Sequence, residues 1–485
     1  MYEQLKRDAA RGVGWAFISS TSVRILQVVT TLVLAKLLMP ADFGLFALAT
    51  LIVNAAAIFR DAGLAQSLVY QRGDRPIAAN TAFILVLVTG FLLGGTLFAA
   101  AGLVARAFGE PAILGPVRVM AIALIPGAAA NVHLALLDRN LRFRSRAVPE
   151  VSGALSYMLL SIGLALRGYG AWSLVIGWVA SQVVSSVSAW LVSGWRPRLE
   201  FDREEARVIV GYGKHLMVAS LVVFAFFQVD NAAIGKWLGV TALGFYNLAF
   251  TVCHLPATNL GHVVNRVMFP TYSKLRDDLP EMNRVYLRTI RYISVCAVPA
   301  AAAIFLLSDP IIRVFYGEKW IPAIPLFRVL SVYGLLRSIG CTGSAVFMST
   351  GHPGMVRLVS TIQLLVVLPF IYTVALRFGA LGIAVLFTAA YTVGLAYGIW
   401  KVRGILGTGA RDYARAVSLP AAAVLPAGGL AWMTALSLGT SWQMIAATGA
   451  AFCLAYALAV HLFDRSAYRE IAGLIGRPGR SAETA

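Results

Sequence analysis

Charge is what this sequence has least of. Only 13% of its 485 residues are Asp, Glu, Lys or Arg, about half the share of an average soluble domain. Cysteine is nearly absent. Cys253, Cys296, Cys341 and Cys453 stand alone inside apolar stretches, with no CxxC or Cys/His spacing, so neither a disulfide framework nor a structural zinc site is expected. Long polar segments are missing too: the longest runs from about Phe269 to Arg284, too short for an independent domain. A cleavable leader is not expected, because the apolar run after Arg11 exceeds the 7–15 residues of a signal h-region and no small-residue cleavage site follows. These absences exclude a soluble enzyme.

What fills the space is apolar. Hydrophobic residues make up 59% of the chain, enough for about fourteen membrane helices at roughly 20 residues each. Apolar runs bounded by charge, Pro and Gly fall near 13–35, 43–65, 78–104, 112–136, 147–166, 171–193, 209–235, 242–265, 285–307, 323–348, 356–376, 380–400, 413–437 and 441–462. The expected fold class is an all-α polytopic membrane protein. Basic residues support the alternation: with the N-terminus placed inside, the inner segments hold 28 Lys and Arg and the outer segments 7. By the positive-inside rule both termini are cytoplasmic. The net charge of +19 is then mostly topology, and nucleic acid is not an expected partner. The arginines of the loop Asp138–Arg146 are suited to anionic lipid headgroups, or to ordinary anchoring.

The chain also repeats itself. Lys36-Leu37-Leu38, Gly44, Leu48 and Ala49 recur 200 residues later as Lys236-Trp237-Leu238, Gly244, Leu248 and Ala249. Phe108-Gly109-Glu110 before Arg118 recurs as Tyr316-Gly317-Glu318 before Arg328. The expected organisation is a six-helix lobe over 1–194, a cytoplasmic linker over 195–207, a second six-helix lobe over 208–401, two further helices over 402–463, and a cytoplasmic tail over 464–485. Corresponding helices share an orientation, so the repeat is parallel. Repeat-built transporters commonly hold substrate between the halves and rock one against the other.

Three segments carry a family resemblance. Leu37-Leu38-Met39-Pro40-Ala41-Asp42-Phe43-Gly44-Leu45-Phe46, Gln228-Val229-Asp230-Asn231 with the following Ile234–Gly239, and Phe269-Pro270-Thr271-Tyr272-Ser273-Lys274-Leu275 resemble the bacterial polysaccharide exporters. These are the oligosaccharide flippases of the multidrug/oligosaccharidyl-lipid/polysaccharide superfamily. The resemblance covers nearly the whole chain. It implies translocation of an undecaprenyl-pyrophosphate-linked glycan from the inner to the outer leaflet of the bacterial cytoplasmic membrane, through a cationic cavity between two lobes. Other polysaccharide-assembly proteins are expected companions.

A charge at mid-bilayer costs about 2.5–3.5 kcal/mol on the insertion scale, so each needs a reason. Ser20, Arg24, Gln27 and Thr31 share one face of the first helix. There Arg24 offers a fork of donors to a pyrophosphate, or a structural bond to a neighbouring carbonyl. Asn247, Thr251, His254, Thr258, His262 and Asn265 form a stripe on the eighth span that suits either a sugar-lining wall or polar contacts between helices. Asp230 is a coupling or gating candidate, or half of a fixed ion pair; Arg60 and Asp61 read as a structural pair. Arg118 and Arg328 are repeat mates suited to an outer gate or to snorkelling. Arg337 lies on the face opposite Arg328, so both line one cavity only if the helix breaks, for instance near Gly334. The candidate substrate-binding set is Arg24, Gln27, Asn247, His254, His262 and Arg337. The gating or coupling set is Asp230, Arg118 and Arg328. Lys214 and His215, at the inner start of the seventh span, suit snorkelling more than a gate. No metal site, cofactor or catalytic residue is expected. A peptidoglycan-precursor flippase and a cation-coupled drug antiporter are the alternatives within the superfamily. The antiporter would present carboxylates where this chain presents Arg24. A glycan polymerase or ligase would need a larger outer loop than Asp309–Pro322.

Overall fold

The computed structural model describes residues 2–61, 68, 76–140, 142–438 and 442–463. Every regular element among them is a helix. Ten stretches are long and apolar enough to cross a membrane. They coincide with ten of the fourteen expected runs. The described residues of the other four expected runs also lie mainly on helices: Arg203–Trp237, Gly354–Val367, Ala410–Leu438 and Trp442–Phe463.

The chain forms two compact units. The first, Met1–Gly244, holds α1 (Tyr2–Leu37), α2 (Pro40–Asp61), α3 (Pro76–Phe108), α4 (Leu114–Ile122), α5 (Leu124–Arg139), α6 (Phe143–Leu166), α7 (Ala171–Ser193), α8 (Arg203–Trp237) and the first turn of α9 (Gly239–Val263). Local chemistry sets these ends. Pro40 opens α2, where a missing N–H costs nothing, and the Asp42 carboxylate accepts the Met39 N–H at 2.9 Å. Asp202 caps α8 by accepting the backbone N–H groups of Glu204 and Glu205 at 2.7 and 2.9 Å. The segment before it is tied to α3: Asn80 accepts from the Arg198 N–H and donates to Glu200, and Thr81 accepts from the Asp202 N–H. Phe83, Val86, Val132 and Ile209 form a core closed by Trp190 and Trp195.

The run expected as one span over 112–136 is instead two helices. α4 stops at Ile122, and the Ala123 N–H reaches back to Met120 at 3.1 Å in a tighter turn. Pro126 is the physical cause, since its ring and missing N–H act against the carbonyl four residues before it, that of Ile122.

Within this unit α2 crosses the start of α9 at two glycines. A Cβ on Gly44 would lie 1.7 Å from the Val240 carbonyl oxygen, and one on Gly244 would lie 1.8 Å from that of Pro40. The contact is reciprocal: each glycine faces the carbonyl four residues before the other, at positions related by the repeat.

The second unit, Phe245–Ala485, holds the rest of α9, then α10 (Phe269–Lys274), α11 (Leu279–Ile311), α12 (Ile324–Ser349), α13 (Gly354–Val367), α14 (Ile371–Leu406), α15 (Ala410–Leu438) and α16 (Trp442–Phe463). The polar stretch expected between spans is helical at both ends, in α10 and the start of α11. The run expected over 356–376 is broken: α13 ends before Pro369, which disfavours helix in the residue preceding it. Gly379, at φ 61° and ψ −154°, then interrupts α14 where a loop between spans is expected. Tyr272, Tyr286, Ile290 and Phe347 centre the core. α15 and α16 pack on α11 through Ala423, Ala427, Phe452 and Tyr456, and the Tyr456 hydroxyl donates to the Val295 carbonyl at 3.1 Å.

Candidate functional site

In the first unit α1 places Gln27 exposed and Arg24 half-buried on one face, as the spacing implies. Asp230 on α8 is fully buried; its carboxylate accepts the Asn231 N–H at 2.7 Å, and the Asn231 amide donates to Gln228 at 2.9 Å. Arg118 on α4 lies over the Phe98 ring, 5.3 Å from its centroid, with its Nε buried and without a hydrogen-bond partner among the described residues.

A polar cavity of about 320 Å³ lies among α2, α5, α6 and α7, where the sequence reading expects only an ion pair. Arg60 does bind Asp61, as a two-pronged fork at 2.7 and 3.0 Å, and reaches the Leu124 carbonyl with its Nη1 at 3.3 Å. That reach needs Gly127, whose Cβ would lie 2.4 Å from Arg60 Nη1. Asp61 also accepts from Asn131 at 2.6 Å. Across the cavity Arg146 joins Asp138 at 3.2 Å and Glu150 at 3.0 Å, and Glu150 accepts from Ser19 of α1 at 2.7 Å. The basic loop is therefore less free for lipid than its sequence implies, since Arg146 is held by two carboxylates. Asn131, Asp138, Arg146 and Gln182 all line this cavity, and the sequence offers one faint signal for them, the i, i+7 spacing of Asn131 and Asp138.

In the second unit Asn247 and His254 lie half-buried on α9. Tyr333 of α12 links two predicted residues. Its ring stacks on that of His254 at 6.4 Å, and its hydroxyl accepts from Arg337 Nη1 at 3.2 Å. Phe250 stacks on His254 at 5.2 Å and lies 5.8 Å from the Tyr333 ring, so the three rings cluster together. Arg328 is apart from this group, exposed, with its Nε 3.4 Å from the Ser308 hydroxyl. α12 runs unbroken from Ile324 to Ser349, so no break lets Arg328 and Arg337 share a face. Gly334 is a packing residue instead, since a Cβ there would lie 2.2 Å from the Cys253 carbonyl oxygen. The side chains of His262, Asn265, Lys214 and His215 lie outside the described residues. Among the described residues no group of three His, Cys, Asp or Glu could hold a metal ion.

These sites are built from paired charges, amide donors and stacked rings. Comparison with known proteins bears on the family. The succinoglycan biosynthesis transport protein ExoT of Rhizobium meliloti (strain 1021) is 26% identical over 326 residues, which span 67% of this chain and 66% of ExoT, just under two thirds of that protein. The lipopolysaccharide biosynthesis protein WzxC of Escherichia coli (strain K12) is 23% identical over 87% of this chain and 86% of its own length. In fold the chain resembles the lipid II flippase MurJ in an inward closed conformation, with a TM-score of 0.79 at 15% identity over 94% of this chain and 99% of that one. The helices and these likenesses describe a multi-pass membrane protein. Residues 33–325 match the family model described as polysaccharide biosynthesis protein, more than half of the sequence, and the chain belongs to that family.

Proposed function

We propose that the protein carries an undecaprenyl-pyrophosphate-linked oligosaccharide, a repeat unit of exopolysaccharide, capsule or O-antigen, from the inner to the outer leaflet by alternating access. The observation that carries this reading is the family match over 33–325 on a multi-pass helical fold, joined to a relative named as a transport protein. The bias of 28 inner to 7 outer basic residues supports the bacterial cytoplasmic membrane with both termini inside. The reciprocal contact of Gly44 and Gly244 supports two lobes of common origin.

In this reading Arg24 meets the pyrophosphate, and the His254–Tyr333–Arg337 group meets sugar or phosphate. The protein moves its cargo without transforming it. Outward movement of two negative charges across an inside-negative membrane releases about 4.6 kcal/mol per 100 mV, from ~2.3 per charge, a contribution that favours export.

The test is a deletion strain complemented in trans. Without the protein, lipid-linked oligosaccharide accumulates on the cytoplasmic face and polymer disappears from the surface. Wild type restores both, and Arg24→Ala, expressed at equal level, restores neither. Full rescue by Arg24→Ala removes that residue from the mechanism; absence of accumulation in the deletion strain removes the reading itself.

A further inference from the structure

The C-terminal end of α14 carries a feature that export does not use. A recess of about 500 Å³ is lined by Trp400, Lys401, Arg403, Gly404, Gly407 and Thr408. No carboxylate is among these residues. Lys401 makes no ion pair among the described residues; its ammonium lies over two rings, 4.6 Å from the Trp400 centroid and 5.7 Å from that of Tyr397. The exposed Arg403 donates from Nε to the Thr408 carbonyl at 3.2 Å. Its Nη1 and Nη2 have no partner among the described residues, so four of its five donors are unclaimed. The guanidinium is nonetheless fixed, because Thr408 is itself buried and bonded to Asn283 at 2.7 Å. Gly404 and Gly407 leave the floor without side chains, and a Cβ on either would meet nothing within 4 Å.

The approach to this recess is apolar. Val385, Ala389, Val393, Ala396 and Trp400 are all exposed and spaced i, i+4, i+8, i+11 and i+15, one continuous stripe of a helix. From Ala389 to Trp400 the stripe rises about 16 Å, close to one leaflet of a ~30 Å hydrocarbon core. Trp400, 59% exposed at the end of the stripe, is the residue type that marks the headgroup level. A free anion needs the basic recess alone. Only a lipid needs the recess and the stripe in register.

We propose that this end of α14 binds an anionic phospholipid, its phosphate between Lys401 and Arg403 and its acyl chains along Val393 and Ala389. The phosphate takes Arg403 as a planar fork and Lys401 as a point charge. The unbranched floor over Gly404 admits the glycerol. This site is independent of the cargo and of the residues assigned to it.

The test uses the full-length protein purified in neutral detergent and analysed by native mass spectrometry with phosphatidylglycerol or chain-matched phosphatidylcholine. Wild type retains phosphatidylglycerol preferentially. The Lys401→Gln/Arg403→Gln double variant loses that preference about thirty-fold, roughly five-fold per basic side chain near a lipid phosphate. Its melting temperature in phosphatidylcholine stays that of wild type. Gly404→Leu, which fills the recess and keeps both charges, loses the lipid as well. Phosphatidylglycerol held equally by wild type and double variant overturns the proposal, as does equal retention of phosphatidylcholine by wild type. Displacement by millimolar inorganic phosphate overturns it too, by reassigning the recess to a free anion.

Discussion

Gly44→Ala tests whether the crossing of α2 and α9 depends on a missing methyl group. The new Cβ would lie 1.7 Å from the Val240 oxygen, 2.6 Å from its carbon and 2.9 Å from the Gly244 nitrogen. All three are backbone atoms, so no rotamer change relieves the overlap. A carbon–oxygen contact settles near 3.3 Å, and the helices must part by roughly 1.5 Å. A gap of 0.5–1 Å already forfeits a quarter to a half of each dispersion contact, and overpacking typically costs about 1–3 kcal/mol. The upper end applies because the obstruction is main chain. At roughly 2–4 °C per kcal/mol for a unit of this size, the melting temperature should fall by about 6–12 °C, read by fluorescence-detected gel filtration after heating. Gly244→Ala, facing the Pro40 oxygen at 1.8 Å, should match it. Gly95→Ala is the control: it sits inside α3 with nothing within 4 Å of the added Cβ, and should leave stability unchanged or raise it by up to ~1 kcal/mol. If Gly44→Ala melts with wild type, the close crossing does not hold the protein together and the packing argument fails.

Two further perturbations separate packing from polarity. Arg60→Leu removes the fork from Asp61 while Asn131 remains; the expected loss is about 2 kcal/mol, below the 3–5 kcal/mol of a fully buried pair because the Asp61 side chain is 43% exposed. Urea or thermal melts should show it, and restoring charge balance with Asp61→Asn on top should recover part of the loss. Trp320→Ala empties a fully buried site against the Phe245 ring, 5.9 Å away. It should cost about 3–5 kcal/mol and be seen as lowered folded yield on gel filtration, whereas an unchanged profile would mean that the cavity collapses.

Hydropathy reads the helices of this fold well because a membrane leaves the backbone few alternatives. It reads their interruptions poorly. Pro126 and Pro369 are plain in the sequence, yet the apolar runs pass across both, and only the structure shows helices ending at Ile122 and Val367. The repeat is legible at Gly44 and Gly244, although not the reason for those glycines, which lies in two carbonyls from distant segments. Arg60 and Asp61 are neighbours in sequence, and their pairing is visible there. Asn131, Arg146 and Gln182 become one cavity with them only through the packing of α2, α5, α6 and α7. Tyr333 escapes notice for a different reason. It is counted among the hydrophobic residues of the composition, but its ring meets His254 while its hydroxyl accepts from Arg337.

The interruption at Ala123 bears on how the chain is made. α4 has 9 residues and α5 has 16, lengths of about 13 and 24 Å, each short of the ~30 Å hydrocarbon core. Neither is a stop-transfer signal on its own. The insertion machinery must accept Pro111–Arg139, 29 residues, as one continuous apolar segment, and the turn at Ala123 is completed against neighbouring helices afterwards. Lengthening the peptide between α4 and α5 would thus damage biogenesis before it damaged the finished protein.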